Sequence, residues 1–218
     1  MTEKLQLYSL ATPNGQKASI ALEEMGLEYD AHKIDIMAGD QFSDEFKKIN
    51  PNSKIPALVD PVGDQGKPLS IMESGAILLY LAEKTGKFIP EAAADRSRAQ
   101  QWLFFQAGGV GPMFGQFGHF HKYAKDKCDH PYPEERYANE TKRLLGVMEE
   151  QLENSKNLAT DEVTIVDFAT APWVIALSKF YKADDRLELA SFRNVNKWVE
   201  SLKDRPAFSK GLEVCAIN

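Results

Sequence analysis

The spacing of apolar residues changes repeatedly over the first part of the chain. Leu5 to Ser9 alternates apolar and polar side chains and predicts a short strand. Gln16 to Gly26 has helical spacing and ends at a glycine, which is typical of a helix C-terminus. The same criteria predict strands at 29–36, 57–60 and 69–71, helices at 43–49 and 73–85, and a turn at 61–67. The order βαβαββα predicts an α/β domain with a mixed sheet.

From Pro90 onwards only helical periodicity remains. Helices are predicted at 92–106, 133–154, 166–181 and 192–202, and residues 206–215 close the chain. This change of pattern predicts an α/β domain over residues 1–88, followed by an all-helical bundle over residues 95–218.

Aromatic side chains crowd the stretch from Phe104 to His121, and glycines and a proline at 108–112 should break the helix there. Such aromatic residues usually form core. A broken helix could instead form the wall of a second pocket. His119 and His121 lack a third ligand at suitable spacing, so no metal site is predicted.

Composition narrows the possible partners. The chain has 218 residues, a net charge of −6 and no basic block, so a nucleic-acid partner is not expected. No apolar run has membrane-spanning length and no signal-peptide core is evident, so we expect a cytoplasmic protein without membrane binding.

Cys128 and Cys215 lie far apart, outside any metal or redox spacing. We interpret both as ordinary reduced thiols and not as nucleophiles.

The loop Thr12-Pro13-Asn14-Gly15 joins the first predicted strand to the first predicted helix and contains no cysteine. Backbone N–H groups at a helix N-terminus favour an anion or a thiolate. The Thr12 hydroxyl and the Asn14 amide could each stabilise a thiolate by hydrogen bonding. If thiol chemistry occurs here, the sulfur must come from a bound ligand.

Ile55-Pro56 directly precedes an apolar predicted strand. The ordinary interpretation is a trans proline that starts a strand, because cis X–Pro bonds are uncommon. A cis bond would turn the N–H and C=O of Ile55 outward, where they could pair with an extended peptide.

Glu73-Ser74 lies at the start of a predicted helix, where such residues usually act as caps. Alternatively, Glu73 could bind the ammonium of an amino acid while the Ser74 hydroxyl and the helix N–H groups bind its carboxylate. Thr164 and Asp167 have capping-box spacing in the helical part, and we interpret them as structural.

Together these features resemble a cytosolic glutathione transferase over the whole chain. Within that superfamily, four segments are similar to the Nu class and to the related fungal nitrogen-regulator group: Thr12 to Gly15, Gly39 to Phe42, Asn50 to Pro56, and Gly111 to Gln116.

The resemblance implies a thioredoxin-like domain that binds glutathione, followed by an all-α domain, in a homodimer. It implies that Ile55 pairs its backbone with the cysteinyl part of glutathione. Glu73 and Ser74 would bind the γ-glutamyl end, and Gln41 and Lys54 would approach the glycyl end.

The same resemblance places Thr12 and Asn14 near the glutathione sulfur. Arg136 would reach from the helical domain toward a glutathione carboxylate, although by its own sequence it is more typical of a solvated helix position. Other transferase classes carry a Tyr, Ser or Cys at the sulfur, whereas this chain has Ala11-Thr12-Pro13-Asn14.

The leading hypothesis is a glutathione-dependent disulfide-bond reductase. One bound glutathione thiolate would attack a small organic disulfide, and a second glutathione would resolve the mixed disulfide. A lowered thiol pKa would equally help conjugation to electrophiles or reduction of organic peroxides, so these remain alternatives. A non-catalytic regulatory or binding module is less favoured, because the sequence contains no Asn/Gln-rich tail.

Overall fold

A four-stranded mixed sheet organises the first part of the protein. The computed structural model describes residues 4–217. The elements up to Lys87 are β1 (Leu5–Ser9), α1 (Pro13–Met25), β2 (Tyr29–Lys33), a 3₁₀ turn (Asp40–Phe42), α2 (Asp44–Ile49), β3 (Ala57–Asp64), β4 (Lys67–Met72) and α3 (Ser74–Thr85). The strand order is β2-β1-β3-β4. The β1–β2 pair is parallel and the other pairs are antiparallel, which confirms the predicted mixed sheet.

Alternation along β1 places Leu5 and Leu7 in the core. Leu7 lies opposite the fully buried Leu58 of β3, so the apolar face of the sheet is continuous across the two strands. β3 is longer than predicted and continues to Asp64. The predicted turn at 61–67 is therefore wrong over most of its length, and the chain reverses at Gln65 and Gly66, which both have positive φ.

Helices make up the second part. The elements are α4 (Ala93–Phe105), a π-helical segment (Gln106–Val110), α5 (Gly111–Gly118), a second π-helical segment (His119–Tyr123), α6 (Tyr132–Glu153), α7 (Ile165–Lys179), α8 (Asp184–Leu187), a 3₁₀ turn (Leu189–Ser191) and α9 (Arg193–Lys203). No helix within residues 4–217 is long and apolar enough to span a bilayer.

The predicted helix break at 108–112 is wrong. Val110 and Gly111 keep right-handed helical dihedrals, and the π-helical segment accommodates the local change of winding. Pro112 is the second residue of α5 and, lacking an N–H, leaves out one backbone hydrogen bond without ending the helix. The aromatic residues Phe114 and Phe117 are fully buried, in line with core packing.

The capping box at α7 confirms the structural interpretation of Thr164 and Asp167. The Thr164 hydroxyl accepts a hydrogen bond from the Val166 N–H, and the Asp167 carboxylate accepts from the Thr164 N–H at 2.8 Å. The buried Asp167 also accepts from the Trp198 indole at 3.0 Å, which ties α9 to the start of α7.

A short helix, α10 (Pro206–Gly211), packs against α1. A Cβ at Gly211 would lie 2.5 Å from the Ile20 Cα, so the two backbones approach closely. The Ser19 hydroxyl donates to the Gly211 carbonyl at 2.7 Å, and the Gln16 amide donates to the Leu212 carbonyl at 2.9 Å. These contacts make the C-terminal segment part of the α/β unit.

The protein thus divides into two units, one comprising the chain up to Lys87 and from Asp204 onwards, the other Phe88–Lys203. We expected the boundaries 1–88 and 95–218, which place the C-terminal segment in the helical domain. The difference arises because α10 packs against α1 and buries Phe208, Gly211 and Leu212, which the sequence pattern of 206–215 does not reveal.

Candidate functional site

Three segments with predicted site residues meet at one edge of the sheet. Tyr8 of β1 lies opposite Ala57 of β3, and Ala57 lies opposite Met72 of β4. The loop after β1, the segment before β3 and the start of α3 therefore lie side by side. These segments carry Thr12, Asn14, Ile55, Glu73 and Ser74.

Thr12 is the N-cap of α1. Its side-chain oxygen accepts a hydrogen bond from the Gly15 N–H at 3.4 Å. A Cβ at Gly15 would lie 1.9 Å from the Leu10 carbonyl oxygen, so only glycine fits where the helix turns back over the loop. Thr12 and Asn14 are both half-buried. Because the Thr12 oxygen serves as the acceptor, its O–H is left to donate to a ligand at the helix N-terminus.

The peptide bond between Ile55 and Pro56 is cis, so the ordinary interpretation of a trans proline is wrong. Ile55 is half-buried, and no hydrogen bond joins its backbone N–H or C=O to any other described residue. Both groups can therefore pair with an added extended segment.

Asn50 holds the turn that leads to Ile55, and sequence reasoning did not identify this role. Its side chain is buried, donates to the Lys54 carbonyl at 2.7 Å and accepts from the Asn52 N–H at 2.9 Å. The sequence feature that indicates this role is an asparagine followed by Pro51, a pattern typical of turns.

Glu73 precedes α3 with a φ of 67°, and its exposed side chain makes no capping hydrogen bond. Ser74, the first residue of α3, is 8% exposed, and its hydroxyl oxygen accepts a hydrogen bond from Lys17 Nζ at 3.3 Å. The capping interpretation of Glu73 is thus not supported, which leaves its carboxylate available at the sheet edge.

Lys17 is the second residue that sequence reasoning missed. It is only 3% exposed, and burial lowers the pKa of its ammonium to about 7, while the Glu73 carboxylate acts in the opposite direction. The sequence feature that could have indicated it is a single lysine among the apolar residues of the first predicted helix.

Gln41 and Lys54 also belong to the first unit. The Gln41 amide nitrogen donates to the Ile36 carbonyl at 3.2 Å, and its buried amide oxygen has no partner among residues 4–217. The Lys54 side chain is exposed.

Arg136 belongs to the second unit, where it is exposed on α6. It lines an open cavity of about 570 Å³ together with Met113, Tyr132, Tyr137, Glu140 and Arg143, among others. The bidentate pair between Arg143 and Glu140, at 2.7 and 2.9 Å, fixes one side of this cavity.

Neither cysteine lies in the loop that caps α1. Cys128 is in the second unit. Cys215 lies in the C-terminal segment, and its carbonyl accepts a hydrogen bond from the Ala11 N–H at 3.0 Å. Burial raises the pKa of the Cys215 thiol, opposed by the nearby charge of Lys33. Within the described part of the chain, no group of His, Cys, Asp and Glu side chains could hold a metal ion.

Comparison with known proteins agrees with this geometry. Residues 3–83 match the family model "Glutathione S-transferase, N-terminal domain", and residues 110–206 match "Glutathione S-transferase, C-terminal domain". The disulfide-bond oxidoreductase YfcG of Escherichia coli is 46% identical over 95% of this chain and 94% of its own length. The disulfide-bond oxidoreductase YghU of the same organism is also 46% identical, over 95% of this chain and 73% of its own length.

A solved structure is equally similar. The glutathione transferase of Pseudomonas putida, with one glutathione disulfide bound per subunit, superposes with a TM-score of 0.94 at 48% identity. The match covers 97% of this chain and 92% of that one. The chain described here belongs to the glutathione S-transferase family.

Proposed function

We propose that this protein is a glutathione-dependent disulfide-bond reductase, which acts on small organic disulfides through the thiolate of bound glutathione. The observation that carries the proposal is the N-terminus of α1, where Thr12 offers an O–H and the helix offers N–H groups but no cysteine is present. Two relatives named disulfide-bond oxidoreductases, and a similar structure that contains glutathione disulfide, support it.

Glutathione would bind along the sheet edge. In this proposal Ile55 pairs its free N–H and C=O with the cysteinyl part, and Glu73 binds the γ-glutamyl ammonium while Ser74 binds the neighbouring carboxylate. Gln41, whose amide oxygen is buried without a partner among the described residues, and Lys54 approach the glycyl end. This arrangement directs the glutathione sulfur toward the loop after β1.

Thr12 and Asn14 would then act at the sulfur. The Thr12 O–H and the positive end of α1 favour the thiolate over the thiol, so they lower the thiol pKa toward neutral pH. Arg136 contributes a cation for a glutathione carboxylate.

Family membership supports the further proposal that the protein works as a cytoplasmic homodimer, and the exposed aromatic residues Phe42 and Phe104 are suited to a subunit interface.

The reaction consumes two glutathione molecules for each disulfide. One thiolate attacks a sulfur of the substrate, so a glutathione–substrate disulfide forms and one substrate thiolate leaves. A second glutathione thiolate attacks the glutathione sulfur of that mixed disulfide, which releases the other substrate thiolate and glutathione disulfide. Both leaving thiolates take up a proton. The substrate gains two electrons, which come from the two glutathione molecules.

Two steady-state assays test the proposal. Turnover of hydroxyethyl disulfide and of an aryl halide is measured with the same enzyme and the same glutathione concentration. We expect the disulfide to react with the higher kcat/KM. Faster conjugation of the aryl halide would assign the chain to the conjugating transferases. Glutathione binding without turnover of any disulfide, electrophile or peroxide would favour a binding module.

A further inference from the structure

Lys17 is a buried cation on α1 that reaches the start of α3. Its Nζ lies 3.3 Å from the Ser74 hydroxyl oxygen, and the two residues are 3% and 8% exposed. Burial of an ammonium costs free energy unless hydrogen bonds or opposite charges compensate it. The contact places this charge next to the segment proposed to bind an amino-acid zwitterion.

We propose that Lys17 is a positioning residue, which orients the Ser74 hydroxyl toward the γ-glutamyl carboxylate of glutathione and adds a positive charge behind it. This inference rests on the proposed glutathione binding. An ammonium is a donor only, so the Ser74 oxygen accepts from Lys17 and the Ser74 proton points elsewhere. At the sheet edge, that proton is directed to an incoming carboxylate. The low dielectric around the buried pair strengthens the interaction.

The charges around Lys17 allow a pH-dependent effect. Glu73, at the start of α3, is the carboxylate whose field acts on Lys17. Lys210 of α10 pairs with Glu23, and Arg205, just before α10, pairs with Glu24, both nearer the end of α1. β1 contributes no carboxylate, ammonium or guanidinium group, and its one titratable side chain is the Tyr8 phenol. Lys17 loses its proton near neutral pH because its pKa is about 7. A bound carboxylate favours the protonated form, so glutathione affinity should fall as the pH rises above that value.

Calorimetric titration with S-methylglutathione tests this inference, because that probe lacks a titratable thiol. The proteins compared are the wild type, K17M, K17R and the control K87M. Lys87 donates to the Met25 carbonyl at 2.9 Å in the same unit, so K87M removes a lysine away from the site. We expect K17M to bind roughly tenfold more weakly than the wild type. Between about pH 6 and 8, affinity should decline clearly more for the wild type and K87M than for K17M and K17R, because any titration of the probe's own amine is common to all four proteins.

Two results would overturn the inference, and a third would overturn the proposed glutathione binding on which it rests. K17M affinity equal to that of the wild type would show that Lys17 does not assist binding. A K17R profile that declines like the wild type would show that another group titrates. K17R also keeps the test valid if K17M fails to fold, since arginine preserves a buried donor and stays charged. Absence of S-methylglutathione binding by the wild type would instead refute the proposed function itself.

Discussion

The Ala11 N–H donates a 3.0 Å hydrogen bond to the Cys215 carbonyl, one residue before the Thr12 cap of α1. The C-terminal segment thus supports the loop at the site through its backbone. The Cys215 side chain is half-buried, and burial raises the pKa of its thiol. Cys215 therefore acts as a structural neighbour of the site, and its thiol is poorly suited to attack a disulfide.

Alkylation kinetics test this view of Cys215. The thiolate is the reactive form, so a raised pKa slows the reaction at neutral pH. We expect iodoacetamide at about pH 7.5 to modify Cys215 several-fold more slowly than free cysteine, as followed by peptide mass spectrometry. Modification at or above the rate of free cysteine would contradict the assignment and would favour a mechanism with a protein thiol.

Substitution of Thr12 tests the proposed donor to the sulfur. Thr12→Val removes the O–H and the cap but keeps the shape of the side chain. We expect kcat/KM for hydroxyethyl disulfide to fall at least about tenfold, and stability to fall by about 1 kcal/mol. Thr12→Ser keeps the hydroxyl and should retain most of both. A Thr12→Val enzyme with wild-type kcat/KM would exclude Thr12 from the chemistry.

Most elements could be predicted from the sequence because their hydrophobic period is clear. β1 was predicted with its observed bounds, and the helix predicted at 166–181 corresponds to α7 within two residues at each end. The turn predicted at 61–67 failed because Pro61 and Gly63 are residues that usually interrupt strands. β3 pairs with β1 only up to Val59, so Pro61 lies where no β1 partner requires its missing N–H.

Thr12, Ile55 and Ser74 could be proposed from the sequence because each flanks a predicted strand, and the structure places the three at one edge of the sheet. Lys17 could not be predicted, because its partner Ser74 is 57 positions away and a lysine in an apolar helix does not reveal where its ammonium points. The contact of Cys215 with Ala11 was missed for the same reason. It depends on α10 packing against α1, which leaves no local pattern.

The capping box of α7 should contribute stability and not chemistry. Thr164→Ala removes the hydroxyl that accepts from the Val166 N–H. We expect the free energy of unfolding to fall by about 1–2 kcal/mol in urea titrations, with kcat unchanged. The control Ser178→Ala, at an exposed position near the end of the same helix, should change stability much less. A large loss of kcat in a folded Thr164→Ala protein would contradict the structural role.

Two glycine substitutions test the packing of the C-terminal segment. A Cβ at Gly211 would lie 2.5 Å from the Ile20 Cα, so Gly211→Ala forces α10 away from α1. We expect a loss of about 1–3 kcal/mol or more in the free energy of unfolding. At Gly146 of α6 the added Cβ would meet no described atom within 4 Å apart from its chain neighbours and the backbone of its own helix. Gly146→Ala should stabilise the protein by about 0.5–1 kcal/mol. Equal effects at both positions would contradict the close approach of α10.

The most direct test of the central claim is turnover by a protein without cysteines. The double variant C128S/C215S keeps the backbone contact to Ala11 and removes both thiols. Its kcat/KM for hydroxyethyl disulfide with glutathione should stay within about twofold of the wild type, because the reacting sulfur belongs to glutathione. A folded double variant that still binds glutathione but has lost turnover would show that a protein cysteine carries the reaction.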